Sequence, residues 1–162
     1  MFMQKILSIS LAFFVTQTFA DNISVTIYNT SDNKKNIGTV EFEDTPYGLL
    51  IKPNISSLIP GLHGFHIHQN PNCNEHGNAA GSHLDPNHTN SHLGPYGNGH
   101  IGDLPALFVD SEGRANTPTL APRLKTENIK NAALMIHQGP DNYSNTPPMG
   151  GGGERMGCGV IL

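Results

Sequence analysis

The chain has 162 residues, a formal net charge of −4, 14% charged residues, 18 Gly, 12 Pro, 2 Cys, 9 His and no Trp. That length fits one ordinary domain with a real core, and the frequent Gly and Pro exclude a fold built on long helices. A net negative chain without a basic run excludes nucleic acid as a partner.

Residues 1–20 carry one charge, Lys5, followed by an apolar run from Ile6 to Val15 and a small-x-small ending at Thr18-Phe19-Ala20. This is a secretory signal-peptide pattern, and about ten apolar residues are too few to span a bilayer. The expected mature domain is therefore 21–162, exported and free of the membrane. Losing Lys5 moves its net charge from −4 to −5 (−4 − 1).

From residue 22 the pattern is short strands and turns. NISVTIYNT (22–30) alternates Ile23, Val25 and Ile27 with polar residues; NIGTVEFED (36–44) alternates Gly38, Val40 and Phe42 with Thr39, Glu41 and Glu43. YGLLIKPNI (47–55) and GLHGFHIHQ (61–69) follow Pro46 and Pro60. Strands at this even spacing point to an antiparallel sandwich or barrel. Residues 70–105 break the pattern with Gly, Pro, Asn and His. Such a loop is either functional or disordered, and its spaced histidines favour folding around metal. ALFVD (106–110) reads as a strand. Residues 120–138 read as a polar loop with a short helical turn near Lys125–Asn128, entering the strand AALMIH (132–137). A second long loop, 139–157, precedes a terminal strand, CGVIL.

The chemistry follows from side-chain direction. On a strand, His66 and His68 share one face while His63, Phe65 and Ile67 share the other. Two imidazoles at i and i+2 make a metal half-site; His63, on the apolar face, reads as a core histidine bonded to backbone. In the loop, His83, His92, His100 and Asp103 form a closed four-ligand zinc set able to fold a segment that lacks its own core. His137 ends an apolar strand, and Asp141, four residues on, reads as a carboxylate that fixes a ligand ring. Cys73 and Cys158 read as one disulfide in an exported chain, with two buried thiols as the alternative. Closing roughly 80 residues would constrain the unfolded chain by about 4–5 kcal/mol. Arg155, tethered to Cys158 beside the histidine-rich loop, reads as a receptor for a small anion. His76 and His88 lie in polar loop context and read as surface histidines.

Together HGFHIH, GSHLDP, SHLGP, GHIGDLP, MIHQGPD and RMGCGVI occur in the order and spacing of copper–zinc superoxide dismutases. PGLHGFHIH, GDLPALFVD, DNYS and GGGGER resemble the bacterial, exported branch, and the likeness covers essentially all of 21–162. The resemblance implies an all-β, eight-stranded antiparallel Greek-key barrel or sandwich with long metal-binding loops, in the periplasm. It implies copper at His66, His68, His83 and His137, zinc at His83, His92, His100 and Asp103, and His83 as a bridge between the metals that also carries a proton. It further implies Asp141 as the link from His66 to His92, Arg155 as the guide for superoxide, a Cys73–Cys158 disulfide, and a homodimer, with a monomer as the alternative. Two departures stand out. The segment from Cys73 to His83 is short for this branch, leaving Lys125 and Lys130 as the candidate steering lysines, and Gly157 stands where Ala is usual. Against a metal-storing module stand Arg155 and the bridging His83; against a zinc hydrolase stands Asp103, which closes the zinc site.

Overall fold

A computed structural model describes residues 22–32 and 35–162; the signal-peptide reading of residues 1–20 lies outside them. The alternation seen in the sequence builds the wall. β1 (Asn22–Asn29), β2 (Asn36–Thr45) and β3 (Gly48–Ile55) form an antiparallel meander. Its register sets Ile23 opposite Phe42, Val25 opposite Val40, and Phe42 opposite Ile51. Because strand side chains alternate, these residues fall on one face, where Val25, Ile27, Val40, Phe42, Leu49 and Ile51 are all buried.

β4 (Gly61–His63), β5 (Phe65–His68), β6 (Leu107–Val109), β7 (Thr119–Ala121), α1 (Thr126–Ile129), β8 (Ala132–His137) and β9 (Arg155–Ile161) follow. One sheet runs β5-β8-β9-β1-β2-β3-β7, and β4 pairs with β6. β4 and β5 are a single strand interrupted at Gly64. The Gly64 N–H still donates to the Gly139 carbonyl, and its carbonyl accepts from the His137 N–H, both at 2.8 Å. Counted that way, the segments are the eight expected strands, and the passages from β3 to β4 and from β7 to β8 cross between edges as a Greek key requires. Among the described residues, no helix is long and apolar enough to cross a membrane.

Two expectations shift. Residues 119–121, which show no alternation, form β7 against Leu49–Ile51 of β3. The last strand begins at Arg155, three residues before Cys158. Arg155 is thus not on a tether but stands in strand register opposite His137.

The outer edge of β5 positions the site. The Ile67 N–H donates to the Gly102 carbonyl (2.8 Å), the Leu84 N–H to the Ile67 carbonyl (2.8 Å), and the Gly102 N–H to the Leu84 carbonyl (3.0 Å). The long loop is therefore laid along β5 as an irregular extra strand, pairing His66 with Asp103 and His68 with His83. Gly102 permits this approach: a Cβ there would lie 2.3 Å from the Ile67 oxygen.

Cys73 and Cys158 are disulfide-bonded across 85 positions, with Cys158 packed among Ala80, Ala133 and Met135. Replacing both by Ser should lower unfolding stability by about 4–5 kcal/mol in the chain-entropy account. Chemical denaturation checks this, and an unchanged midpoint and slope would show that the bond constrains nothing.

Candidate metal centre

Six imidazoles converge at the β5 edge: His66, His68, His83 and His92 are essentially fully buried and His100 and His137 nearly so. In each ring one nitrogen, buried and without a hydrogen-bond partner, faces the cluster: Nδ1 of His66, His92 and His100, and Nε2 of His68, His83 and His137. A buried polar atom without a partner costs about 1–3 kcal/mol, so six together mark a place built for something else.

The opposite nitrogen explains which one is free. His66 Nε2–H donates to Asp141 Oδ2 (2.6 Å), His68 Nδ1–H to the Gly81 carbonyl (2.8 Å), His92 Nε2–H to Asp141 Oδ1 (2.7 Å), and His137 Nδ1–H to the Gly153 carbonyl (3.2 Å). Each bond fixes a tautomer and turns the other lone pair inward, the arrangement that ligand histidines require.

The inward atoms fall into two sets, each within 4.8 Å: His66, His68, His83 and His137, and His83, His92, His100 and Asp103. His83 belongs to both. In the second set, Asp103 Oδ1 lies 2.9 Å from His83 Nδ1, 2.9 Å from His92 Nδ1 and 3.4 Å from His100 Nδ1. A tetrahedron with metal–ligand bonds near 2.0–2.1 Å has edges of about 3.3 Å, so this nitrogen–oxygen set suits zinc. The first set is all imidazole, a donor suited to copper. The other Asp103 oxygen accepts from the backbone N–H groups of Leu93 and Gly94, both at 3.2 Å.

The electrostatics agree with the two-set division. Burial pushes His66 down to about 3 and His137 down to about 4, and it lowers His68 and His83 as well, so the first set offers neutral lone pairs at neutral pH. Burial also opposes charge on His92, but the two carboxylates beside it, Asp103 and Asp141, outweigh it and raise that ring to about 9. The same ties hold both carboxyls well below the usual carboxylate range, against the effect of burial.

Asp141 spans the two sets, and the glycine run makes room for it. A Cβ on Gly150, which has φ +78°, would lie 2.1 Å from Asp141 Oδ1 and 2.6 Å from His92 Nε2. Arg155 sits beside the first set: Nη1–H donates to the Gly77 carbonyl (2.5 Å) and Nη2–H to the Gly81 carbonyl (2.8 Å). His63 stays apart, each ring nitrogen 2.7 Å from a backbone carbonyl, those of His137 and Ile59.

One contributor carried no sequence signal. Arg123, in the loop read as merely polar, donates to the carbonyls of Gly97, Gly99 (3.0 Å) and His100, clamping the far end of the histidine loop. Lys125 donates instead to the Thr45 carbonyl on the β2–β3 hairpin, which removes it from the site.

A family model described as copper/zinc superoxide dismutase matches residues 36–161. The copper–zinc superoxide dismutase of Legionella pneumophila is 51% identical over 156 residues, covering 96% of each chain. The Brucella abortus enzyme structure superposes with a TM-score of 0.83 at 44% identity, over 88% of this chain and 100% of that one. A monomeric copper, zinc superoxide dismutase from Salmonella enterica gives 0.76 at 45% identity, again over 88% and 100%. Sequence, curled antiparallel sheet and paired histidine sets converge on one answer: this chain belongs to the copper/zinc superoxide dismutase family of oxidoreductases, whose cofactors are copper and zinc.

Proposed function

We propose that the protein dismutates superoxide in the periplasm, 2 O₂⁻ + 2 H⁺ → O₂ + H₂O₂, with copper held by His66, His68, His83 and His137 and zinc by His83, His92, His100 and Asp103. The observation that carries this reading is the set of six unpartnered ring nitrogens, all turned into two clusters that share His83. Bound copper supplies one-electron chemistry between Cu(II) and Cu(I), and bound zinc is redox-silent.

The chain's own residues do the rest. Arg155, fixed by two carbonyls, receives the anion beside the first set and lowers the cost of bringing negative charge there. His83, held through Nδ1 at Asp103, offers Nε2 to the first set, and the same atom can hold a proton for the peroxide product whenever it is not serving as a ligand. Asp141 orients His66 and His92 together. Export of residues 21–162 after removal of 1–20 suits a chain whose cysteines form a disulfide.

Metal analysis with a superoxide assay on residues 21–162 tests the reading. Copper- and zinc-replete protein should consume superoxide near the diffusional ceiling of about 10⁸–10⁹ M⁻¹s⁻¹. Only the uncatalysed rate, at full metal content, would sink it.

Arg123→Met should release zinc about tenfold faster to a chelator while copper stays bound, because the end of the loop carrying His100 loses its clamp. Equal zinc release rates would show the clamp to be dispensable. For assembly we propose a homodimer. Leu62 and Phe108 are cross-strand partners on the β4–β6 ribbon and roughly half exposed, as is Ile59, leaving an apolar face for a second copy. Sedimentation of wild type and Leu62→Lys distinguishes dimer from monomer; a wild-type monomer rejects the dimer.

A further inference from the structure

Among the six clustered rings, His100 alone lacks a hydrogen bond on its outer nitrogen. His66 and His92 are tied to Asp141, His68 and His137 to backbone carbonyls, and His83 turns one nitrogen to each set. The His100 backbone is pinned: its N–H donates to the Ser91 carbonyl (2.9 Å), and its carbonyl accepts from Arg123. The ring can still turn or change tautomer, and either would point its Nδ1 lone pair away from the second set. Its Nε2 faces the carboxylate of Asp85, whose Oδ2 lies 4.0 Å away. Both residues line a cavity of about 540 Å³, and Asp85 is the one carboxylate in that wall among the described residues.

The local chain is folded to hold this carboxylate still. Asp85 follows Leu84, which is bonded to β5. The turn after it closes back onto it: the His88 N–H donates to the Asp85 carbonyl (3.1 Å), the Asn90 N–H to Oδ2 (2.8 Å) and the Thr89 hydroxyl to Oδ1 (3.1 Å). His88 and Asn90 both hold left-handed backbones, φ 51°, uncommon for residues with a Cβ. We propose that Asp85 accepts the Nε2–H of His100, directly or through one water, and so fixes Nδ1 as a donor of the second set. The gap exceeds a hydrogen bond by about 1 Å, which a small ring shift or one bridging water closes. A carboxylate behind a ligand histidine sets the tautomer and the ring plane and makes the facing nitrogen more basic. Asp141 does this for His66 and His92; Asp85 is the positioning residue for the ring nearest solvent. The His100 side chain is 8% exposed, so a ring N–H without an acceptor there exchanges freely with water.

The inference rests on the assignment of zinc to the second set, and the test separates the two. Wild type, Asp85→Ala, Asp85→Asn and Thr89→Val are labelled with nitrogen-15 histidine and prepared with zinc and copper(I), a diamagnetic state. Zinc affinity is read by chelator competition, and the His100 ring N–H by its magnetic resonance signal. That signal should persist in wild type. Asp85→Ala should lower zinc affinity by about tenfold, lose the signal to solvent exchange and leave copper retention unchanged. Thr89→Val drops a turn contact but leaves the carboxylate facing His100, so both readouts should stay at wild type. Asp85→Asn keeps an uncharged oxygen, a weaker acceptor, and should lower zinc affinity by about two- to fivefold. No signal in wild type, or wild-type zinc affinity or a retained signal in Asp85→Ala, overturns the proposal. Equal losses in Thr89→Val also overturn it, because they place the effect in the turn. If Asp85→Ala does not fold, Asp85→Asn decides, and unchanged affinity there counts against the proposal. Wild type that loads no zinc overturns the zinc assignment instead.

Discussion

Asp141→Ala should loosen both metal sites at once, with affinity for zinc falling by about 10- to 100-fold and copper retention falling with it. The wild-type carboxylate accepts from His66 through one oxygen and from His92 through the other, at 2.6 and 2.7 Å. Removing it leaves two buried N–H groups without acceptors, each costing about 1–3 kcal/mol. It also frees both rings to swap tautomers and turn their lone pairs away from the metals. Asp141→Asn is the sharper variant. It keeps the shape, but its NH₂ group cannot accept, so only one of the two ties survives. Competition with a chelator of known affinity, followed by separate copper and zinc analysis, reads the result. Wild-type affinity for both metals in Asp141→Ala would show that the rings are held by packing alone.

Arg155→Ala should cut superoxide consumption by about tenfold or more with metal content unchanged, and should flatten the dependence of the rate on salt. The guanidinium is half-buried and pinned by Gly77 and Gly81, so its charge stands at a fixed place beside the imidazoles rather than sweeping through solvent. Arg155→Lys tests that distinction. Lysine keeps the charge but loses the planar fork that serves two carbonyls together. It should recover part of the rate and little of the positional order. Rate-against-salt plots at constant metal loading decide, and superimposable plots for all three proteins would remove Arg155 from its proposed role.

The clustering of His66 and His68 was legible because a strand has a period of two, which sorts cluster-facing from core-facing side chains without knowledge of the fold. The same parity set His63 apart, and its ring bonds only to backbone. The four-residue loop set was legible as a donor list. Its geometry was not, because it depends on long-range pairing of residues 84 and 102 with β5, and sequence carries no register for an irregular edge. Three-residue β7 is too short to show alternation, and the start of β9 at Arg155 is hidden behind four glycines that read as loop. Arg123 gave no sign because an arginine that binds carbonyls looks, in sequence, like an arginine that binds water.

The Gly81 carbonyl receives two donors: the ring of His68 and the guanidinium of Arg155. A single oxygen atom is therefore the shared origin from which both groups are measured. Gly81 itself holds a left-handed backbone, φ +76°, which aims that carbonyl. A side chain placed there would displace one oxygen and so unseat the ring and the guanidinium together, coupling two groups that lie on separate strands.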